Sequence, residues 1–238
     1  MELLKKRTIK TFPSQNVQEI SIATTQSNQT ALQDQIQKQS LSLAQAQKRY
    51  FLLKTEEILI TLTFITVAVL GRIALQPFPS VEPITFFTVL AGALFGWKKG
   101  ATTGASAWYL SNFFMLGGQG PWTIIHVANG IVAGTLAGFF LHKKTTLTRT
   151  LFVTLLATLI FEISINLMSG ILFYGIIISF ITAIPFTLTH IISNLITATA
   201  IPSAKKEILQ KGKLQQKELY EMYIKKLQNL YKENKINP

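Results

Sequence analysis

The chain has no cysteine, which excludes a disulfide framework, a thiolate metal site and a thiol nucleophile. Acidic residues are scarce: 11 Asp and Glu stand against 23 Lys and Arg, for a net charge of +12 and a pI near 9.9. Such an excess is a reason to consider nucleic acid. The basic ends, however, carry no zinc, helix-turn-helix or aromatic RNA-binding pattern, and basic flanks are ordinary beside membrane segments, so no nucleic-acid partner is expected. HExxH, GxSxG and Walker patterns are also missing, and His126, His142 and His190 are too scattered in sequence to argue a metal site. The reading is therefore no enzyme, no metal, no cofactor and no means of hydrolysing ATP within the chain. The opening MELLKKRTIKTFPSQ has basic residues but no apolar run before Pro13, so it does not read as a secretory signal peptide.

What the chain does have is apolar length. Hydrophobic residues make up 48 % of it and charged residues only 14 %, and between Thr55 and Pro202 the only acids are Glu56, Glu57, Glu82 and Glu162. Apolar runs of about 16 to 20 residues read as membrane spans. They predict an all-α integral membrane six-helix bundle over residues 55–203. Its segments fall near Glu57 to Leu75, Ile84 to Trp97, Ala101 to Leu116, Thr123 to Leu141, Thr150 to Met168 and Ser179 to Ile201. QPFPSVEP and GGQGPW break the first pairs of segments, because proline cannot continue a helix. SGILFYGIII, with Gly170 and Gly175, reads as a partly buried connector. Pro185 should kink the sixth helix or mark its late start. Gly92/Gly96, Gly100/Gly104 and Gly130/Gly134/Gly138 lie four residues apart, a spacing that lets helix backbones approach closely in lipid.

Lys and Arg set the expected orientation. Lys48, Arg49 and Lys54, then Lys98 and Lys99, then Lys143, Lys144 and Arg149, then Lys205 and Lys206 fall at alternate breaks, and 76–83, 117–122 and 169–178 hold none. This positive-inside pattern places both termini in the cytoplasm of a multi-pass cell-membrane protein. Residues 1–54 read as a polar cytoplasmic N-terminal extension, poorly ordered at its start and helical from about Thr30. Residues 204–238 read as a basic amphipathic cytoplasmic helix with Tyr220, Ile224, Leu227 and Tyr231 on one stripe, separated from the sixth span by Gly212.

Polar residues inside the spans come in pairs that share a helix face: Tyr109 with Asn112, His126 with Asn129, Glu162 with Asn166, and His190 with Asn194. Most fall in the outer half, and groups of this kind usually face an interior or a wet cavity, so one outward-facing pocket is expected. Each asparagine could equally serve as a bond between helices. Glu162 needs a cationic partner, a proton or a ligand, and Arg72, His126 and His190 are the available cations. Arg72, Asn112, His126, Asn129, Glu162, Asn166 and His190 are therefore candidate substrate-binding residues. Glu82 of the first external loop and Gln119 and Trp122 of the GGQGPW break join them. Trp122 is read as touching ligand, and Trp108 as facing lipid or packing.

The run GRIALQPFPSVEPITFFTVLAGALFGWKKGATTGASAWYLSNFFMLGGQGPWTIIHVANGIVAGTLAG resembles the substrate-binding S component of energy-coupling factor (ECF) transporters, a type of ABC transporter. P-x-V-x-P-I-T-F, G-A-L-F-G, S-N-F-F and G-Q-G-P-W-T carry the likeness, and AIPFTLTHIISN is similar to that family's last helix. The resemblance covers about residues 57–203. It implies vitamin uptake: capture of a vitamin or related micronutrient near the outer surface, with loops 76–83 and 169–178 helping to close the site. It also implies association with a membrane coupling (T) component and two cytoplasmic ATPases. Ala68 and Gly71 are the candidate coupling surface, although Arg72 stands where the family's A-x-x-x-A spacing asks for a second small residue. A membrane scaffold of the cell envelope or cell-shape machinery is the alternative reading, and it would need no inward polar pairs.

Overall fold

A computed structural model describes residues 14–211 and 216–236. Among the described residues the fold is all helical: α1 (Ser14–Ala74), α2 (Ile84–Phe95), α3 (Trp97–Ser111), α4 (Pro121–Leu141), α5 (Leu147–Ser169), a π-helical turn (Gly170–Tyr174), α6 (Ile176–Ala198), α7 (Ile201–Lys211) and α8 (Gln216–Ile236). The chain divides into two compact units, one of residues 52–217 and one made by residues 1–51 with 218–238.

Among the described residues, four stretches are long and apolar enough to cross a membrane: Gln33–Ala74, Pro121–Leu141, Leu147–Phe173 and Ile176–Lys211. Their outward faces carry Phe139, Phe152, Ile163, Ile177, Ile181, Leu188 and Ile192, all exposed, as side chains facing lipid are. α2 and α3 have 12 and 15 residues. At 1.5 Å per residue they reach about 18 and 22 Å, short of a hydrocarbon core of about 30 Å. These two short helices meet at Gly96 alone, whose φ of +84° reverses the chain in a single residue.

Glycine sets how closely α2, α3 and α4 pack. A Cβ added at Gly92 would stand 2.7 Å from the Gly134 carbonyl oxygen, one at Gly100 would stand 2.7 Å from Gly92 Cα, and one at Gly130 would stand 2.5 Å from Gly104 carbonyl carbon. No side chain fits in that seam, so the spacing read from the sequence corresponds to direct backbone contact. The apolar core beside it joins Phe64 of α1, Val89, Leu90 and Leu94 of α2, Leu141 of α4, Val153 of α5 and Ile201 of α7. A second cluster gathers Ala68, Val69, Ile84, Ala107 and Trp108.

Several sequence expectations are corrected. Helix α1 is already formed at Ser14, so the Gln-, Ser- and Thr-rich stretch before Thr30 is helical; residues 14–29 contain neither glycine nor proline. Of the two readings of Pro185 only the late start falls, because α6 begins at Ile176 and holds the proline in its interior. The connector includes a π-helical turn in which Gly170 is buried while Ile171, Leu172 and Phe173 are exposed, so its burial is confined to its start. The region after residue 203 is two helices, and α7 belongs to the membrane unit: Ala204, Ile208 and Leu209 pack on the apolar core. Lys205 Nζ donates to the carbonyls of Leu141 and His142 at 3.1 and 2.6 Å and to Thr145 Oγ1 at 2.9 Å, closing the C-terminal end of α4. In the other unit Tyr220, Ile224 and Leu227 of α8 are half-buried while Met222 and Tyr223 are exposed, in keeping with the expected stripe. Gly212 and the side chain of Tyr231 lie outside the described residues.

The seam yields a direct test. Gly134→Ala should lower unfolding stability by about 1–3 kcal/mol through overpacking. Gly117→Ala, whose added methyl would meet only Trp122 at 3.7 Å, should change stability by less than about 0.5 kcal/mol. Unfolding in mixed micelles measures both, and equal effects would count against a packing role for the seam.

Candidate functional site

Contacts gather several helix ends at one end of the helical unit: the end of α1 meets that of α3 through Arg72 and Asn112, and the loop after α1 meets α6 through Ser80 and Ser193. Buried polar side chains collect near that end. Arg72, in the last turn of α1, is 9 % exposed, and its Nη1 donates to Ser111 Oγ and Asn112 Oδ1, both at 2.6 Å. Asn112, at the end of α3, passes the link on: its Nδ2 donates to Thr123 Oγ1 at 3.0 Å and lies 3.2 Å from His126 Nδ1. Pro121 starts α4, where a missing N–H costs nothing, and Thr123 Oγ1 accepts the Gly120 N–H at 3.2 Å.

On the other side stand α5 and α6. Glu162 Oε1 lies 2.6 Å from His190 Nδ1, its Oε2 accepts from Thr187 Oγ1, and Asn166 Nδ2 donates to that oxygen at 3.4 Å and to the Glu162 carbonyl at 2.8 Å. Glu82, from the loop between α1 and α2, joins the two halves. Its Oε2 lies 3.3 Å from Arg72 Nε and its Oε1 3.5 Å from His190 Nε2. Both nitrogens of His190 thus face carboxylate oxygens, an arrangement that suits the doubly protonated ring, which has a donor on each nitrogen. Two carboxylates and two cations then balance. Burial opposes ionisation of Glu82, but the closeness and charge of His190, with Arg72 and His126 beyond, outweigh it and hold the carboxyl below its usual range.

Rings wall this polar group. Arg72 lies over the Trp108 ring, 4.4 Å from its centroid. Trp108 packs on His126 at 4.5 Å and stacks on Phe161 at 5.0 Å, and Phe161 meets His190 edge-on at 5.2 Å. One turn further into α6, Asn194 Nδ2 donates to Thr158 Oγ1 at 2.9 Å.

The structure brings together Arg72, Glu82, Asn112, His126, Glu162, Asn166 and His190. Asn129 stands apart, donating to Ser164 Oγ at 2.6 Å between α4 and α5. Gln119 is exposed and donates to the Tyr109 carbonyl at 2.9 Å, and Trp122 donates to the Gly118 carbonyl at 3.1 Å on the loop surface. Of the two readings of Trp108, packing holds: it is 3 % exposed and belongs to the second apolar cluster, while Trp122 is half-buried. Ala68 has no exposed surface, and a Cβ at Gly71, which is half-buried, would stand 2.7 Å from Pro83 Cγ, so both residues pack against neighbouring segments of the chain. Ser111, Phe161 and Thr187 were missed. Thr187 lies one helical turn before His190, a spacing that could have identified it.

Fold and site together define an all-helical protein with several helices able to cross a membrane and a buried, charge-balanced polar cluster near one end. Residues 53–213 match a family described as "Family of unknown function (DUF6580)", and the chain belongs to that family. No curated protein and no solved structure matches the chain.

The pairing is testable by a double-mutant cycle. Removing one partner of a buried pair strands the other charge, at a cost of about 3–5 kcal/mol. Glu162→Gln and His190→Gln should therefore couple by about 1–3 kcal/mol. The cycle between Glu162→Gln and Arg72→Gln, which share no direct contact, should give a smaller value. A larger coupling to Arg72 would contradict the arrangement.

Proposed function

We propose that this protein is the substrate-capture subunit of an energy-coupling factor transporter. It is an integral six-span membrane protein of the cell membrane, with both termini cytoplasmic, that binds a vitamin or related micronutrient from outside. In this reading α2 and α3 are the two short spans, completed at their ends by the flanking loops. A membrane coupling component and two cytoplasmic ATPases supply the energy, because the chain has no phosphate-binding loop of its own. The site is lined by Arg72, Glu82, Asn112, His126, Glu162, Asn166 and His190, with Trp108 and Phe161 as apolar walls.

One observation carries the proposal. Arg72 Nε, Glu82 Oε1 and His190 Nε2 are buried and, among the described residues, have no hydrogen-bond partner. They meet one another only at ion-pair distances of 3.3 and 3.5 Å, without hydrogen bonds; a scaffold gains nothing from buried charges paired so loosely, whereas a binding site has donors and acceptors that a ligand can engage.

Topology and energy supply provide the tests. Cysteines at Ser80 and Gln119 should react with an impermeant reagent from outside, and cysteines at Thr145 and Ala204 should not. Uptake should require co-expressed partner ATPases. Transport by this chain alone in liposomes, at rates matching cells, would overturn the assignment.

A further inference from the structure

We infer that Arg72 and His190 form a seat for the carboxylate of a ring-bearing ligand, and that Glu82 occupies this seat in the ligand's place until the ligand displaces it. The inference rests on the capture reading above and names its substrate class.

The two cations are held very unevenly. Arg72 Nη1 makes two bonds of 2.6 Å and His190 Nδ1 sits 2.6 Å from Glu162, so these sides are tightly fixed. Towards Glu82 the distances lengthen to 3.3 and 3.5 Å, and neither contact has hydrogen-bond geometry. Arg72 and His190 are 9 % and 3 % exposed, so each presents a buried, unsatisfied donor to the same carboxylate. Glu82 is thus held mainly by charge, and a carboxylate able to reach both donors at about 2.7–2.9 Å would bind better.

Glu82 is also the one member of the charged group that a loop carries. The other three charges are fixed on α1, α5 and α6, while residues 75–83 lie between helices. The loop is tied to α6 by a 3.2 Å bond from Ser193 Oγ to the Ser80 carbonyl, and Ser80 has φ +62°, uncommon for a residue other than glycine. Releasing Glu82 therefore frees a loop and leaves the helices undisturbed. Charge fixes the sign of the incoming group. With Glu82 gone, Glu162 is the one carboxylate of the cluster set against the charges of Arg72 and His190, and one anion restores balance where a neutral or cationic group would not. Trp108 and Phe161, next to the two cations, suit a planar ring attached to that anion.

The experiment uses the full-length protein in detergent with benzoate as probe and benzamide and benzylamine as its uncharged and cationic counterparts. Benzoate should bind in preference to both. If Glu82 fills the seat nine times in ten, Glu82→Gln removes the competitor and benzoate affinity should rise roughly tenfold, with benzamide unchanged. In protein retaining Glu82, a spin label at Ser80→Cys should gain mobility with benzoate and not with benzamide, a readout that does not depend on the Glu82 variant folding. Unchanged or weaker benzoate binding in a folded Glu82→Gln protein, or a label indifferent to benzoate, overturns the inference. A neutral or cationic small molecule co-purifying with the protein, together with indifference to benzoate, overturns the carboxylate assignment and leaves the capture reading standing. Indifference to benzoate with no small molecule retained at all overturns both.

Discussion

Ionised groups are costly in a buried apolar interior, and this chain keeps four of them within one cluster. The arrangement persists because Arg72, Glu82, Glu162 and His190 balance one another and because neutral groups take up most of the remaining bonds: Ser111 and Asn112 on the guanidinium, Thr187 and Asn166 on Glu162. Each charge comes from a different segment. The cluster therefore joins α1, the α1–α2 loop, α5 and α6, and through Asn112 reaches α3 and α4. Losing any one charge leaves another uncompensated, so the cluster behaves as a unit.

The glycine seam complements this tie. It brings α2, α3 and α4 into backbone contact by van der Waals packing alone, which is how helices associate where lipid is as apolar as leucine. One part of the bundle is thus closely packed and uncharged, and the other is joined through polar side chains. Rigid packing on the first side leaves rearrangement to the loop that carries Glu82. At the opposite end, Lys205 caps α4 and docks α7 on the apolar core, so that end is closed by contacts within the chain.

Local patterns in the sequence foretold local features well. Gly92, Gly100, Gly104, Gly130 and Gly134 were legible as a close-packing set because a four-residue period is a property of one helix. Polar pairs such as Glu162 with Asn166 were legible for the same reason. Contacts between helices were not. Glu162 had three possible cations, and only the fold selects His190, 28 positions away. Aromatic residues near helix ends read alike, so lipid-facing and packing places for Trp108 were not separable until the fold buried it. Ala68 and Gly71 looked like surface for a partner because small residues serve both internal and external contacts; in the fold both pack against neighbouring segments of the chain. The boundary after residue 203 was misplaced because the charges of α7 resemble a solvated helix, while Ile208 and Leu209 face the core.

The central claim is that the buried cluster binds a small molecule. Mass spectrometry of the gently purified protein, followed by extraction and identification of what is retained, tests it most directly. The account predicts one small molecule per chain in the unaltered protein and its loss from a folded His190→Gln variant. Finding only lipid and detergent in the unaltered protein, or a retained molecule indifferent to His190→Gln, would contradict it.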